Sequence, residues 1–310
     1  MTIGVTGGSG FIGRHLLRSL GNGSRPIALL ARNPAAARLG SRDASVEIRA
    51  WDADDDTASA DAFRGIDVVI HAAAFVPSNM RDAAEAGGCF RVNALGTLRL
   101  VRDAIDAGAQ HVVLLSSGQA YANLGRPACE SDPLFPAVHG TYYLVSKLAG
   151  EVFAQREALD ADIALTVLRL GAVYGPGMSE RHVVARFCAQ ALRGDSLMVD
   201  APGTHTADFV HVDDVVHAIV QAVEVLRPDT YNIGSERAVS ILELARLAAA
   251  AAGRDPTSVE LRGPANSPHR AGFVALDCAR ARGALSFAPR PLSAGLEDVM
   301  RSLALGDRAP

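Results

Sequence analysis

The chain has 310 residues, 49% of them hydrophobic and 21% charged, with a formal net charge of −4. That balance suits a folded enzyme and excludes an intrinsically disordered chain; the scattered arginines form no basic stripe, so nucleic acid is not an expected partner. No apolar run reaches membrane-spanning length, and Met1 to Thr6 leads straight into a strand and a glycine loop with no room for a targeting segment, so a cytoplasmic protein without membrane association is expected.

The first half alternates short aliphatic runs with longer helical stretches, the pattern of βαβ units around a parallel sheet. A strand at 2–6 runs into Thr6-Gly7-Gly8-Ser9-Gly10-Phe11-Ile12-Gly13, and Phe11, Leu16, Leu17 and Leu20 then share a helical face until Gly21-Asn22-Gly23. Glycines at this spacing between a strand and a helix suit a dinucleotide: Gly7 for a tight turn, Gly10 for close approach of a pyrophosphate, Gly13 for helix–strand packing, with Phe11 and Ile12 at the helix N-terminus. The second strand, 26–31, ends at Arg32, where an acidic residue would accept the ribose hydroxyls of NAD. A guanidinium there pairs instead with a 2′-phosphate, so NADP is favoured over NAD. Asp52 follows a third strand at 46–50 and is a candidate adenine contact.

Further strands fit 67–71, 111–116 and 164–169, with helices at 91–107 and 143–158. Within the latter, Tyr143 and Lys147 stand one turn apart on one face. Lys147 is the only lysine among 30 basic residues, which marks a position that needs a compact ammonium in place of a guanidinium. A unit charge about 4 Å from a phenol is worth roughly 4 kcal/mol at an effective dielectric of ~20, or about 3 pKa units, so Tyr143 is expected to titrate near neutrality and act as a general acid and base. Ser117 is a candidate partner for the same substrate oxygen. The four cysteines, Cys89, Cys129, Cys188 and Cys278, lie far apart, as befits reduced thiols, and no metal site is expected.

After Tyr174-Gly175-Pro176-Gly177, helices fit 180–193, 211–226 and 240–252 and a strand fits 230–233. The expected fold is α/β: a doubly wound parallel sheet, Rossmann-like, with a smaller C-terminal substrate-binding lobe. Residues 1–174 and 208–235 form the dinucleotide-binding domain; 175–207 and 236–310 form the lobe, closing over a cleft.

The chain resembles the extended short-chain dehydrogenase/reductases, the NAD-dependent epimerase/dehydratase family, along nearly its whole length. The resemblance rests on the glycine loop, His71-Ala72-Ala73-Ala74, Asn93 to Thr97, Ser116 to Tyr121, Tyr143 to Lys147, Leu168-Arg169 through Pro176, Asp208 to Val215 and Tyr231 to Gly234. It implies Ser117, Tyr143 and Lys147 as the catalytic set, the last two also touching the cofactor, with Ala72, Ala73 and Asn93 as further cofactor contacts. Val76, Gln119, Ala172 and Arg270 become candidate substrate contacts. It also implies dimerisation through the helices near 91–107 and 143–158.

Departures from the family pattern narrow the reaction. Dehydratases of the family carry an Asp-Glu pair after the Ser117 position, where this chain has Gly118-Gln119; members that epimerise beside a ketone use a cysteine at position 119. Both routes are disfavoured. A nucleotide-sugar 4-ketoreductase is expected, interconverting a carbonyl and a secondary alcohol. A 4-epimerase with tightly held NAD, a reductase of a non-sugar, hydroxysteroid-like ketone (suggested by Ala172) and a non-catalytic NADP-binding sensor remain open.

Overall fold

Short aliphatic runs bounded by glycine and polar turns set the strands of this chain. The computed structural model describes residues 1–306 apart from 22, 24, 41–45, 56, 58–59, 81, 136–140 and 265–271. In order, the chain forms β1 (Ile3–Thr6), α1 (Phe11–Gly21), β2 (Ile27–Ala31), α2 (Pro34–Gly40), β3 (Val46–Ala50), β4 (Val68–His71), α3 (Ala86–Cys89), α4 (Gly96–Asp106), β5 (His111–Ser117), α5 (Thr141–Ala161) and β6 (Ala164–Leu170). It continues through β7 (Ala172–Tyr174), α6 (Val183–Arg193), β8 (Met198–Asp200), β9 (Thr206–His211), α7 (Val212–Val225), β10 (Thr230–Ile233), β11 (Ala238–Ser240), α8 (Ile241–Ala251), β12 (Glu260–Arg262), α9 (Ala279–Leu285) and α10 (Leu292–Ala304).

Seven strands form one sheet in the order β10-β6-β5-β4-β1-β2-β3, every pair parallel. Helices cover both faces, which is why β1, β4 and β5 are buried throughout and read as unbroken aliphatic runs. Side chains alternate between two cores: Ile3, Val5, Val68, Ile70, Val113 and Leu115 meet α7 and α9 on one face, while Val69, Val112 and Leu114 meet α4 and Ala154 of α5 on the other. Winding reverses between β1 and β4, so the carboxyl ends of these neighbours frame the crevice where such sheets receive ligands.

A third apolar cluster unites Tyr174, Phe187 of α6, Phe209 of β9, Leu244 of α8 and Leu296 of α10. Residues from the tail also enter the sheet's own core, among them Leu276, Cys278, Leu285 and Phe287. The long strands and helices lie where the periodicity places them, with one difference: the helix expected at 91–107 opens with a π-helical turn, Phe90–Leu95, before α4. α2, α3, α9, α10 and the short strands β7, β8, β9, β11 and β12 lie outside the elements that the periodicity gives. Among the described residues, no helix is long and apolar enough to cross a membrane.

Candidate active site

At the end of β1 the chain turns through Gly7, whose φ of 71° lies in the left-handed region that favours glycine. A methyl at Gly7 would lie 2.5 Å from the Ala73 nitrogen, and one at Gly13 would lie 2.1 Å from the Gly7 oxygen. The β1 turn, the exit of β4 and α1 therefore pack backbone against backbone. Gly10 is less confined: its Cβ would meet only the Gly7 oxygen, at 3.1 Å. Immediately after it, the amides of Phe11, Ile12 and Gly13 begin α1 without intrahelical acceptors, and the first helical bond runs from Arg14 N to Gly10 O at 3.0 Å. Glycines with no room for a side chain, beside a positive helix end at the sheet's switch point, fit a dinucleotide pyrophosphate. Arg32 is exposed just beyond β2, with no carboxylate partner among the described residues. Asp52 lies half-buried beyond β3 and accepts the Asp54 amide at 3.0 Å.

The exit of β4 is fixed by a buried hydrogen-bond chain. Thr97 Oγ1 donates to Asn93 O at 2.7 Å and so receives the His71 Nε2 proton at 3.1 Å; His71 Nδ1 then accepts from Thr6 Oγ1 at 2.7 Å, and Thr6 accepts the Ala73 amide at 3.3 Å. This leaves His71 one self-consistent neutral tautomer. Burial, helped by the nearby Lys147 charge, pushes its pKa down to about 3. Ala72 and Ala73 come directly after it, partly exposed at the crevice.

Asn93, expected to contact the cofactor, is engaged by the chain's own groups beside the 72–76 segment. It is 1% exposed; its amide grips Phe75 at both N (2.7 Å) and O (2.9 Å) and donates to Ser146 Oγ at 3.0 Å. Ser146 Oγ in turn donates to the Tyr143 carbonyl at 2.7 Å. A Cβ on Gly150 would lie 2.2 Å from Asn93 O, so α5 crosses the π turn in close contact. Asn93 is thus a latch joining the 72–76 segment, which carries exposed Val76, to the turn of α5 that carries Tyr143. π turns recur at functional sites.

Ser117 closes β5, and its Oγ accepts the Gln119 amide at 3.3 Å. Tyr143 and Lys147 project from α5, which packs on β5, and Lys147 is close enough to His71 at the end of β4 to act on it electrostatically. No described residue hydrogen-bonds the Tyr143 hydroxyl or the Lys147 ammonium. Burial raises the phenol to about 12, with the Cys89 thiol adding to the rise, and lowers the ammonium to about 8, with Glu151 opposing. This corrects the expectation that Tyr143 titrates near neutrality. Lys147 is buried and Tyr143 partly buried, and desolvation is the larger cause of the shift in each.

Gln119 is partly exposed beside Ser117, and Ala172 opens β7 opposite Phe209. Arg270 lies outside the described residues. A side chain at Gly118 would crowd Leu276, whose Cδ1 lies 2.6 Å from where the Cβ would sit, so this buried leucine would have to shift.

Beneath the site runs a polar network that sequence reasoning missed. Arg169 pairs with Glu151 at 2.6 Å; both are buried. Ser116 Oγ donates to Glu151 Oε2 at 2.6 Å, Arg169 Nη1 donates to the Tyr121 hydroxyl at 2.7 Å, and Tyr121 donates to Asn232 Oδ1 at 2.8 Å. The available signal was Arg169 itself, a charge inside the apolar strand Leu168-Arg169-Leu170, which demands a buried partner.

Comparison with known proteins agrees with this geometry. The chain is 31% identical over 318 residues to a dTDP-4-dehydro-6-deoxy-D-allose reductase from Streptomyces bikiniensis, covering 97% of this chain and 95% of that one. It is 32% identical over 299 residues to a UDP-glucose 4-epimerase from Mycolicibacterium smegmatis, covering 92% and 93%. Among solved structures, MoeE5 in complex with UDP-glucose and NAD superposes with a TM-score of 0.82 at 29% identity, covering 99% of each chain. Residues 3–234, which hold the glycine cradle, Ser117, Tyr143 and Lys147, match the model of the NAD dependent epimerase/dehydratase family, and the chain belongs to that family of nicotinamide-dependent enzymes.

Proposed function

We propose that this enzyme is a nucleotide-sugar 4-ketoreductase using NADP(H), and that residues 175–207 and 236–310 form the lobe that binds its substrate. The observation that carries the reading is the pair of residues after Ser117: neither Gly118 nor Gln119 offers a carboxylate or thiol, and Leu276 fills the space that a side chain at 118 would need. Proton chemistry then rests on Tyr143, and a carbonyl–alcohol exchange needs only one such group. The similarity to a dTDP-4-keto-sugar reductase supports the same class.

The glycine cradle and the N-terminus of α1 would hold the dinucleotide, whose nicotinamide would supply or accept the hydride. Ser117 Oγ hydrogen-bonds the substrate oxygen, and Tyr143, protonated at neutral pH with its pKa raised to about 12, delivers the proton as charge develops there. The Lys147 ammonium, one turn along α5, would stabilise the phenolate left behind and would also hold the cofactor. Arg32, exposed and without a carboxylate partner among the described residues, supports pairing with a 2′-phosphate. Phe90, Leu95, Val152 and Leu159 leave apolar surface on the π turn and α5, which supports a homodimer. A cytoplasmic location accompanies this reading.

Tyr143→Phe tests the assignment: turnover of a dTDP-linked 4-keto sugar should fall by about 10²–10⁴-fold with cofactor affinity nearly intact. Unchanged turnover refutes it. Fluorescence titration with NADPH and NADH tests Arg32. A strong NADPH preference that Arg32→Asp reverses supports an exchangeable cosubstrate. Tight NADH binding without preference favours a 4-epimerase with retained NAD, a reading that the likeness to UDP-glucose 4-epimerases keeps in play.

A further inference from the structure

Glu151 is 2% exposed, and its carboxylate meets two strands. It stands on α5 one turn beyond Lys147 and two beyond Tyr143. Its Oε2 accepts the Ser116 hydroxyl of β5 at 2.6 Å, and its Oε1 accepts Arg169 of β6 through Nη2 at 2.6 Å and Nε at 3.1 Å. In the parallel register Ser116 lies opposite Arg169 and Ser117 opposite Leu170, so the contact falls one residue short of the catalytic serine. A buried ion pair is weak evidence for stability alone, because packed apolar residues commonly serve as well. The placement of this one suggests a further use.

We propose that Glu151 is a positioning residue of the catalytic set: through Ser116 it tethers the end of β5 that carries Ser117, and it sets an anion one helical turn from the Lys147 ammonium. The inference rests on Ser117, Tyr143 and Lys147 being the reacting groups. The titratable and charged groups around Lys147 leave Glu151 as the opposing charge. His71 of β4 is held neutral by Thr6 and Thr97, Cys89 of α3 is an un-ionised buried thiol whose pKa is raised, Tyr143 is protonated, and Arg169 is engaged by Glu151 and Tyr121. Even with Glu151 opposing it, burial brings the ammonium to about 8. Without that carboxylate a large part of the lysine would lose its proton at neutral pH.

Because the chain has one lysine, labelling with ¹³C-lysine gives a single side-chain signal whose Cε shift reports the titration without any substrate. The wild-type midpoint is expected near 8, and Glu151→Gln should lower it by about one pH unit. Ser116→Ala keeps the carboxylate, so its midpoint should stay within about 0.3 unit while kcat falls about tenfold with little change in KM. If Glu151→Gln does not fold, the Glu151→Gln/Arg169→Leu double variant removes both charges together and should show the same downward direction. An unmoved midpoint in a folded variant lacking the carboxylate overturns the electrostatic half of the proposal; wild-type kcat in Ser116→Ala overturns the tether. Failure of the catalytic assignment itself would show separately, as undiminished turnover in Tyr143→Phe.

Discussion

Gly10 and Gly13 belong to one loop yet should fail in different ways when replaced by alanine. At Gly13 the new methyl would lie 2.1 Å from Gly7 O, 2.6 Å from Gly8 Cα and 2.8 Å from Gly7 C, all backbone atoms that cannot rotate away. The loop and α1 must part, and overpacking of that kind costs about 1–3 kcal/mol. For a chain of this size that amounts to a melting temperature lower by roughly 2–5 °C. At Gly10 the methyl meets only Gly7 O at 3.1 Å. The entropy removed from the unfolded chain, worth about 0.4–1 kcal/mol, offsets most of that contact, so stability should change by less than about 1 kcal/mol. The same methyl stands where a pyrophosphate must approach the α1 amides, and losing one or two charge-assisted hydrogen bonds of about 1.5–3 kcal/mol each weakens binding by roughly 10- to 1000-fold or more. Thermal melting and NADPH fluorescence titration on both variants separate the effects. Wild-type cofactor affinity in a folded Gly10→Ala protein would refute the placement of the pyrophosphate, and an unshifted melting temperature in Gly13→Ala would refute the packing argument.

Asn93→Ala should strand the Phe75 N–H and C=O together with one Ser146 bond, lowering stability by about 2–4 kcal/mol. Hydrogen exchange at residues 74–77 should rise with it; unchanged exchange there would argue against the latch. Acid should also weaken the fold. Burial depresses His71 to about 3 and His111 to about 4, below the ordinary histidine value of 6.5. Unfolded chains therefore take up these protons first: the stabilisation is complete above about pH 6.5 and is lost as pH falls toward the folded values, at up to about 1.4 kcal/mol per unit for each histidine. Urea denaturation at pH 7, 6 and 5 should show a fall of roughly 2–3 kcal/mol across the last unit, and a flat profile would mean that these imidazoles are not buried neutral.

How much was legible beforehand depends on how far each signal reaches along the chain. β1, β4 and β5 are buried on both faces and announce themselves as aliphatic runs, while the Tyr143–Lys147 spacing is local to one helix turn. β8, β11 and β12 have three residues each, too few for a period to register, and the pairing of β8 with β12 joins segments some 60 residues apart. The misjudged phenol shows the same limit. Spacing along α5 gives the neighbour but not the depth of burial, and burial decides the sign. Asn93 was marked as important for its place in a motif, but only the fold shows that its amide is spent on Phe75 and Ser146.

Position 118 constrains how this enzyme could change its chemistry. With Leu276 methyls 2.6 and 2.8 Å from where a Cβ would sit, installing an acid at 118 first makes a crowded protein, whereas trimming Leu276 first opens a void beneath Ala128 and the tail. Either single step loses stability before any elimination activity can appear. The order of substitutions therefore matters, and a designed conversion to a dehydratase should begin with a smaller residue at 276 on a background stabilised elsewhere, adding the acidic pair afterwards.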